Sequence, residues 1–192
     1  INIDDIKKIE NMNDAPWYAH YPKNVPQQID SAEYESLVEL LDVSFKKFGE
    51  NAAFENMGKV ITFNELKTAA NNFSAYLIHD LGLSKGDKVA IQMPNLLQYP
   101  VVLFGALRAG MTVVNVNPLY TSSELKHQLN DSDAKVIVVL ANFASTLESI
   151  LSETNLKHVL ITQIGDMIGG IKGGLINFAV KYLKNMIPSF NL

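Results

Sequence analysis

Apolar residues recur along this chain in two alternating rhythms, one helical and one extended. Leu37, Leu40, Leu41, Phe45 and Phe48 fall at helical spacing between Tyr34 and Phe48, and Gly49 supplies the stop. Two short extended runs follow, Ala52 to Glu55 and Lys59 to Phe63, around Asn56-Met57-Gly58, which predicts a hairpin. Thr62-Phe63-Asn64-Glu65 is a capping-box pattern, in which a threonine and a glutamate three residues later satisfy free N–H groups at a helix start. The helix it opens carries Leu66, Ala70, Phe73 and Leu77 on one face, and Gly82 closes it.

From there strands and helices alternate. Lys88 to Met93 reads as a strand, Leu96 to Ala109 as an apolar helix closed by Gly110, and Met111 to Val116 as a strand. Thr121-Ser122-Ser123-Glu124 is a second capping box, opening a helix to about Asp131. Lys135 to Leu140 is then a strand, Phe143 to Ser152 a helix and His158 to Thr162 a strand. Such alternation predicts an α/β fold with an open, mainly parallel sheet covered by helices. Val136-Ile137-Val138-Val139 is continuously apolar, as a strand buried on both faces should be. Pro100 conflicts with a helix that begins at Asn95, so the regular helix is expected to begin near Pro100 itself.

Residues 1–33 are polar and contain Pro16, Pro22 and Pro26, which predicts an extended arm. Three parts follow: the arm, an α/β body over 34–163, and a Gly-rich linker with an amphipathic helix over 164–192. Both ends read as cuts, since the chain starts at Ile1 and stops at Leu192 directly after an apolar segment.

Composition narrows the function classes. The 192 residues are 47% hydrophobic and 19% charged, ordinary values for a globular chain that can bury a core. A formal charge of −4 gives no overall field for nucleic acid, so no nucleic-acid partner is expected. There is no cysteine, which removes disulfides and thiolate chemistry and makes a reducing cytosol the default compartment. The longest apolar stretch, Pro100 to Leu107, falls short of the roughly 18 residues a membrane span needs.

Candidate chemistry is sparse. Gly165 to Gly174 resembles a phosphate cradle, but Ile171 and Gly173 break the Walker spacing, and a flexible linker is the better reading. His20, His79, His127 and His158 share no helix at metal spacing. Glu65 and Glu124 stand at the third position of their capping boxes, which explains them without a catalytic acid pair. Asn95 and Asn117 each follow a strand, where open α/β sheets collect ligands, although turn chemistry selects the same residues. With Tyr120 they are the candidate pocket wall. In the tail, Leu175, Ile176, Phe178, Ala179, Val180, Tyr182, Leu183, Met186 and Ile187 fill one broad helical arc. Asn177, Lys181, Lys184 and Asn185 share the other side, and Pro188 ends the pattern. This is how an interfacial membrane helix is built, and Phe178, Lys181, Leu183 and Lys184 are its candidate contacts. Packing of the same face on the body is the competing reading.

One ordered set of motifs resembles a known family. Thr62-Phe63-Asn64-Glu65-Leu66, the run Gly82 to Ile91, Pro94-Asn95, Gly105, Ala109-Gly110, Asn117 to Thr121 and Glu124-Leu125 are together similar to the opening of adenylate-forming enzymes. Met93 to Pro100, Val114 to Thr121, Phe54 to Gly58, His127 to Asp131 and Phe178 to Tyr182 look like bacterial long-chain fatty-acid CoA ligases of the FadD type. The resemblance runs from about Tyr21 to Leu192, and the first twenty residues look like an extension.

The resemblance implies the incomplete N-terminal portion of an adenylate-forming fold, and a two-step reaction for the parent enzyme. A fatty acid carboxylate attacks ATP at the α-phosphate, with magnesium neutralising the phosphates, and coenzyme A then displaces AMP from the acyl-adenylate. It also implies that the catalytic motifs lie beyond Leu192, so no catalytic, cofactor-binding or metal-ligating residue is carried onto this chain and an isolated fragment should be inactive. The expected partners are a fatty acid, the rest of the ligase, a peripheral contact with the cytoplasmic face of the membrane, and a second copy. A stand-alone nucleotide-binding module and a non-catalytic membrane-docking or dimerisation module built on 175–190 are the rival readings.

Overall fold

Hydroxyl caps set where the first long helices begin in the computed structural model of the chain, which describes residues 16–27, 29–30 and 33–192. Helix α1 (Leu37–Phe48) starts where Ser36 Oγ accepts the Glu39 N–H at 3.1 Å. Strands β1 (Ala52–Asn56) and β2 (Lys59–Thr62) form the expected antiparallel hairpin. Its two turn residues, Met57 and Gly58, both have positive φ, 51° and 75°, the geometry whose twist matches that of the strands. Helix α2 (Phe63–His79) opens with its capping box complete: Glu65 N–H donates to Thr62 Oγ1 at 3.1 Å, and Thr62 N–H donates to Glu65 Oε2 at 2.8 Å.

The alternating part follows as β3 (Lys88–Gln92), α3 (Gln98–Arg108), β4 (Thr112–Asn115), α4 (Ser122–Ser132), β5 (Val136–Leu140), α5 (Ala144–Glu148), β6 (His158–Thr162) and α6 (Gly170–Phe178). Pro100 is the third residue of α3, inside the first turn, where its missing N–H removes no helical bond. The single helix expected over 143–152 is instead the five-residue α5 flanked by 3-10 turns at Ala141–Phe143 and Leu151–Glu153. Hydroxyls interrupt it: Ser149 Oγ donates to Thr146 O at 2.8 Å, and Thr154 Oγ1 donates to Leu151 O at 2.9 Å. Such local bonds offer the backbone an alternative to helix. The segment read as a linker contains the start of α6, where Gly169 and Gly170 take positive φ of 72° and 55°.

The four strands β4-β3-β5-β6 form one sheet in that order, every neighbouring pair parallel. The chain winds outward from β3 to β4, then crosses to β5 on the other side of β3. Alternate residues of the strands feed two cores. Val89, Ile91, Val136 and Val138 pack with Leu77 of α2 and with Val102 and Ala106 of α3. Ala90, Ile137 and Val139 face the other way, onto Leu125 and Leu129 of α4 and Leu147 of α5. A third core of Phe45, Ile61, Leu66, Leu97 and Val101 joins α1 and the hairpin to α2 and α3. An Arg108–Asp42 ion pair ties α3 to α1. The chain divides into two compact units, Ile1–Glu35 and Ser36–Leu192. In the first, Pro16–His20 coils into a 3-10 turn rather than an extended arm, and Trp17, Tyr18 and Tyr21 meet edge to face. The earlier part of the expected arm, residues 1–15, lies outside the described residues.

Two core positions make the packing testable. Gly105 of α3 lies against α2 so closely that a Cβ there would stand 2.8 Å from Ala70 O and 2.9 Å from Phe73 Cδ1. Gly174 of α6 has open space around its Cβ position. Gly105→Ala should therefore destabilise the protein by about 1–3 kcal/mol, and Gly174→Ala should stabilise it by about 0.5–1 kcal/mol. Urea denaturation measures both, and two changes of the same sign would contradict the close α2–α3 contact.

Gln92 is the second position. It is 0% exposed at the end of β3, and its Nε2 and Oε1 have no protein partner among the described residues. A buried amide without partners carries a desolvation penalty of about 1–3 kcal/mol per group. Gln92→Met, which keeps the shape, should leave stability unchanged or raise it by about 1 kcal/mol. A loss above about 1 kcal/mol in the same assay would mean that the amide is paired in solution.

Candidate functional site

Ligands of open parallel sheets gather outside the carboxyl ends of the strands, above all where the winding reverses. Here that end is built from the segments after β3 (Met93-Pro94-Asn95), β4 (Val116-Asn117-Pro118), β5 (Ala141-Asn142-Phe143) and β6 (Gln163-Ile164-Gly165). The reversal falls between β3 and β5.

Hydrogen bonds fasten the segments after β3 and β4. Asn95 is exposed, and its carbonyl oxygen accepts from Asn56 Nδ2 at 3.1 Å, which ties the hairpin to this loop. Asn117 Oδ1 accepts the Leu119 N–H at 3.0 Å, a side chain held in its own turn. Tyr120 is half-buried against the α4–α5 core, and with Glu124, His127, Gln128 and Asp131 it lines a shallow depression of about 230 Å³. Asn115 just before them is fastened twice, its Oδ1 accepting from Tyr99 Oη at 2.8 Å and its carbonyl from Gln128 Nε2 at 3.0 Å. Glu124 completes the second capping box. Hydrogen bonds from the Thr121 side chain and backbone lower its pKa, the reverse of what a proton donor near neutral pH requires.

A polar network occupies the β6 end. Asp166 Oδ2 accepts from Thr162 Oγ1 at 3.0 Å and from the Gln163 N–H at 2.7 Å. Its Oδ1 accepts from Asn177 Nδ2 at 2.9 Å, and Asn177 Oδ1 accepts the Gly165 N–H at 2.7 Å. Gln98, buried at the start of α3, donates from Nε2 to Gln163 O at 2.7 Å and to Thr162 Oγ1 at 3.2 Å. This network fastens α6 and α3 to the end of the sheet. Glycine is required at its centre: a Cβ on Gly165 would lie 2.2 Å from Gly173 O, and one on Gly173 would lie 2.3 Å from Gly165 O. Gly165 and Gly173 of this run therefore serve a close approach of two backbones. Sequence reasoning missed Asp166 and Asn177 as partners. Asn177 reads there as one more polar residue on a solvated face.

Beyond α6 the helix widens into a π turn at Ala179–Leu183. Phe178, Lys181, Leu183 and Lys184 are all exposed, and so are Ile171, Leu175, Tyr182 and Met186. Ile171 is 84% and Leu183 72% exposed. Ile176, Ala179, Val180 and Ile187 are the half-buried members of the arc. Lys172 Nζ donates to Met57 O at 2.7 Å, tying α6 to the hairpin turn. Among the described residues no helix is long and apolar enough to cross a membrane.

The tail then turns back over the sheet. Asn142 Nδ2 donates to Met186 O at 2.9 Å, and the Asn191 N–H donates to Glu148 Oε1 at 2.9 Å. Between tail and sheet lies a cleft of about 780 Å³ lined by Ala141, Gln163, Lys181, Tyr182, Asn185 and residues 187–190. No group of three or more His, Asp or Glu side chains among the described residues could hold a metal ion.

With this geometry the chain can be set beside known proteins. Residues 41–182 match the family described as AMP-binding enzyme. The long-chain-fatty-acid–CoA ligase of Escherichia coli O157:H7 is 52% identical over 176 residues, 92% of this chain and 31% of that protein. The ligase of the same name from Bacillus subtilis (strain 168) is 34% identical over 153 residues, 80% of this chain and 27% of that protein. The crystal structure of the long-chain-fatty-acid-CoA ligase FadD1 from Archaeoglobus fulgidus superposes with a TM-score of 0.61 at 27% identity, over 73% of this chain and 29% of that one. A benzoate CoA ligase from Burkholderia xenovorans LB400 shares the fold with a TM-score of 0.61 at 21% identity, over 66% of this chain and 25% of that one. The chain thus spans about a third of the length of curated relatives such as the Escherichia coli O157:H7 ligase. The α/β architecture, the parallel sheet and the matched span agree: the chain belongs to the AMP-binding enzyme family.

Proposed function

We propose that this chain is the amino-terminal part of an enzyme that joins long-chain fatty acids to coenzyme A by way of an acyl-adenylate. The observation that carries the reading is the 52% identity to a long-chain-fatty-acid–CoA ligase along 92% of the chain. A carboxylate is a poor acyl donor, and adenylation at the α-phosphate of ATP gives it a good leaving group for attack by the coenzyme A thiol. Magnesium, when bound, neutralises phosphate charge.

The residues of this chain fit a scaffold for that chemistry. Gly165 and Gly173 of the glycine run are committed to backbone packing. In this reading ATP, magnesium and coenzyme A are held by the remainder of the ligase. That remainder also covers the open edge along β6, where Ile161 is exposed and the neighbouring residues are half-buried. A second copy pairing along the same edge is the competing cover.

Peripheral attachment to a membrane belongs to the same proposal. The exposed stripe of Ile171, Leu175, Phe178, Tyr182, Leu183 and Met186, with Lys181 and Lys184 beside it, has the make-up of an interfacial helix.

The purified full-length protein should convert palmitate, ATP and coenzyme A to palmitoyl-CoA with equal release of AMP and pyrophosphate. The 192-residue chain alone should catalyse no palmitate-dependent pyrophosphate exchange. Release of ADP by the full-length protein, or exchange by the chain alone, would overturn the assignment.

Sedimentation with vesicles containing anionic lipid should carry the protein down at low salt and release it at high salt. The double change Phe178→Ser and Leu183→Ser should reduce binding by roughly tenfold or more, because each large apolar side chain contributes about 1.5–3 kcal/mol when buried. Lys184→Glu should weaken binding and flatten its salt dependence. A wild-type protein that stays in the supernatant at low salt would refute the attachment.

A further inference from the structure

We propose that the cleft between the returning tail and the carboxyl ends of β5 and β6 is a docking site for a long-chain carboxylate, with Lys181 meeting the carboxylate. The proposal rests on the ligase reading for the identity of the acid, and on the cleft itself for the site. Ala141 directly follows β5 and Gln163 directly follows β6, so the cleft lies where parallel sheets collect ligands. Its volume of about 780 Å³ falls within the usual range for small-molecule sites.

The lining selects for an anion that is also apolar. Lys181 is the single charged side chain among the lining residues, and none of them is a carboxylate. No acidic side chain pairs with Lys181 among the described residues. Its Nζ instead lies 5.4 Å from the centroid of the Tyr182 ring. Gln163, Asn185 and Ser189 add neutral hydrogen-bonding groups, while Ile187, Pro188 and Phe190 make the rest of the wall apolar. A polyphosphate would want several cations or a nest of backbone N–H groups, and one lysine in a half-apolar cleft is a poor match for it. A fatty acid needs one cation and a long apolar surface.

The surroundings supply a path and a fixed wall. Tyr182 belongs both to the cleft lining and to the exposed apolar stripe, and its ring lies 5.1 Å from that of Phe178. An acyl chain leaving a lipid surface at Phe178 would thus remain on apolar side chains until its carboxylate reached Lys181. The wall is held by backbone and side-chain bonds: the Lys184 N–H donates to Ala179 O at 2.8 Å, the Met186 N–H to Val180 O at 3.0 Å, and Asn142 Nδ2 to Met186 O.

The test uses the full-length enzyme and a palmitate analogue carrying a diazirine on its acyl chain, with the labelled peptides mapped by mass spectrometry. Label is expected within residues 179–190, competed by palmitate and competed by neither palmitate methyl ester nor ATP. Lys181→Met should cut this labelling about tenfold, and Lys181→Arg should retain it, since both keep a long side chain but only arginine keeps the charge. In the same samples Lys181→Met should raise KM for palmitate with KM for ATP unchanged. Palmitate turnover without label in 179–190 would overturn the docking site while leaving the ligase reading intact. Equal competition by the methyl ester, or competition by ATP, would overturn it as well. Absence of any palmitate turnover would remove the ligase reading, and labelling of the cleft would still report on the site.

Discussion

Strand β5 leaves the rest of the molecule little choice. Val136 through Leu140 are buried without exception, so both faces of the sheet must be covered and both edges of this strand must be paired. Burial of this kind contributes about 25 cal/mol for each Å² of apolar surface removed from water, and it is available only if helices flank the sheet on each side. The winding from β3 out to β4 and back across to β5 meets that requirement, placing α2 and α3 over one face and α4 and α5 over the other. The hairpin and α1 then form a second tier on α2 and α3, around Phe45, Ile61 and Leu66.

Once the sheet is covered, the carboxyl ends of its strands become the place where polar groups must be reconciled with a dry core. At β4 they are reconciled by Asn117 within its own turn and by Asn115 through Tyr99 and Gln128. At β6 the solution is longer-ranged, with Asp166 and Asn177 bonding α6 to the strand end and Gly165 and Gly173 allowing the backbones to touch. That fastening directs the tail back over β5 and so creates the cleft that holds Lys181. A segment of an AMP-binding enzyme thereby presents one polar end of its sheet beside an exposed apolar stripe.

Much of this was legible in the residues. Capping boxes are local chemistry, and both Thr62–Glu65 and Thr121–Glu124 form as written. Periodicity and the unbroken apolar run of β5 were enough for the parallel sheet, because a doubly buried strand has no alternation to confuse it. The helix expected over 143–152 forms only over Ala144–Glu148, where Ser149 then bonds its own backbone, a competition that propensity does not register. The candidate site was the least legible part. Asn95 and Asn117 do follow strands, yet Asn117 is held by its own turn, and the cleft is assembled from three separate stretches, Ala141 and Gln163 with the tail. Pairings such as Asp166 with Asn177, and the mutual contact of Gly165 and Gly173, depend on a chain reversal that no local pattern encodes.

Under the proposed function these residues are the interchangeable amino-terminal scaffold of a long-chain fatty-acid CoA ligase. The most direct measurement replaces the matching 176 residues of the Escherichia coli O157:H7 relative with those of this chain and follows palmitoyl-CoA formation by the purified chimera. Activity within about tenfold of the parent enzyme is the result that the proposed scaffold role predicts. A folded, soluble chimera that consumes no ATP with palmitate and coenzyme A would contradict the account.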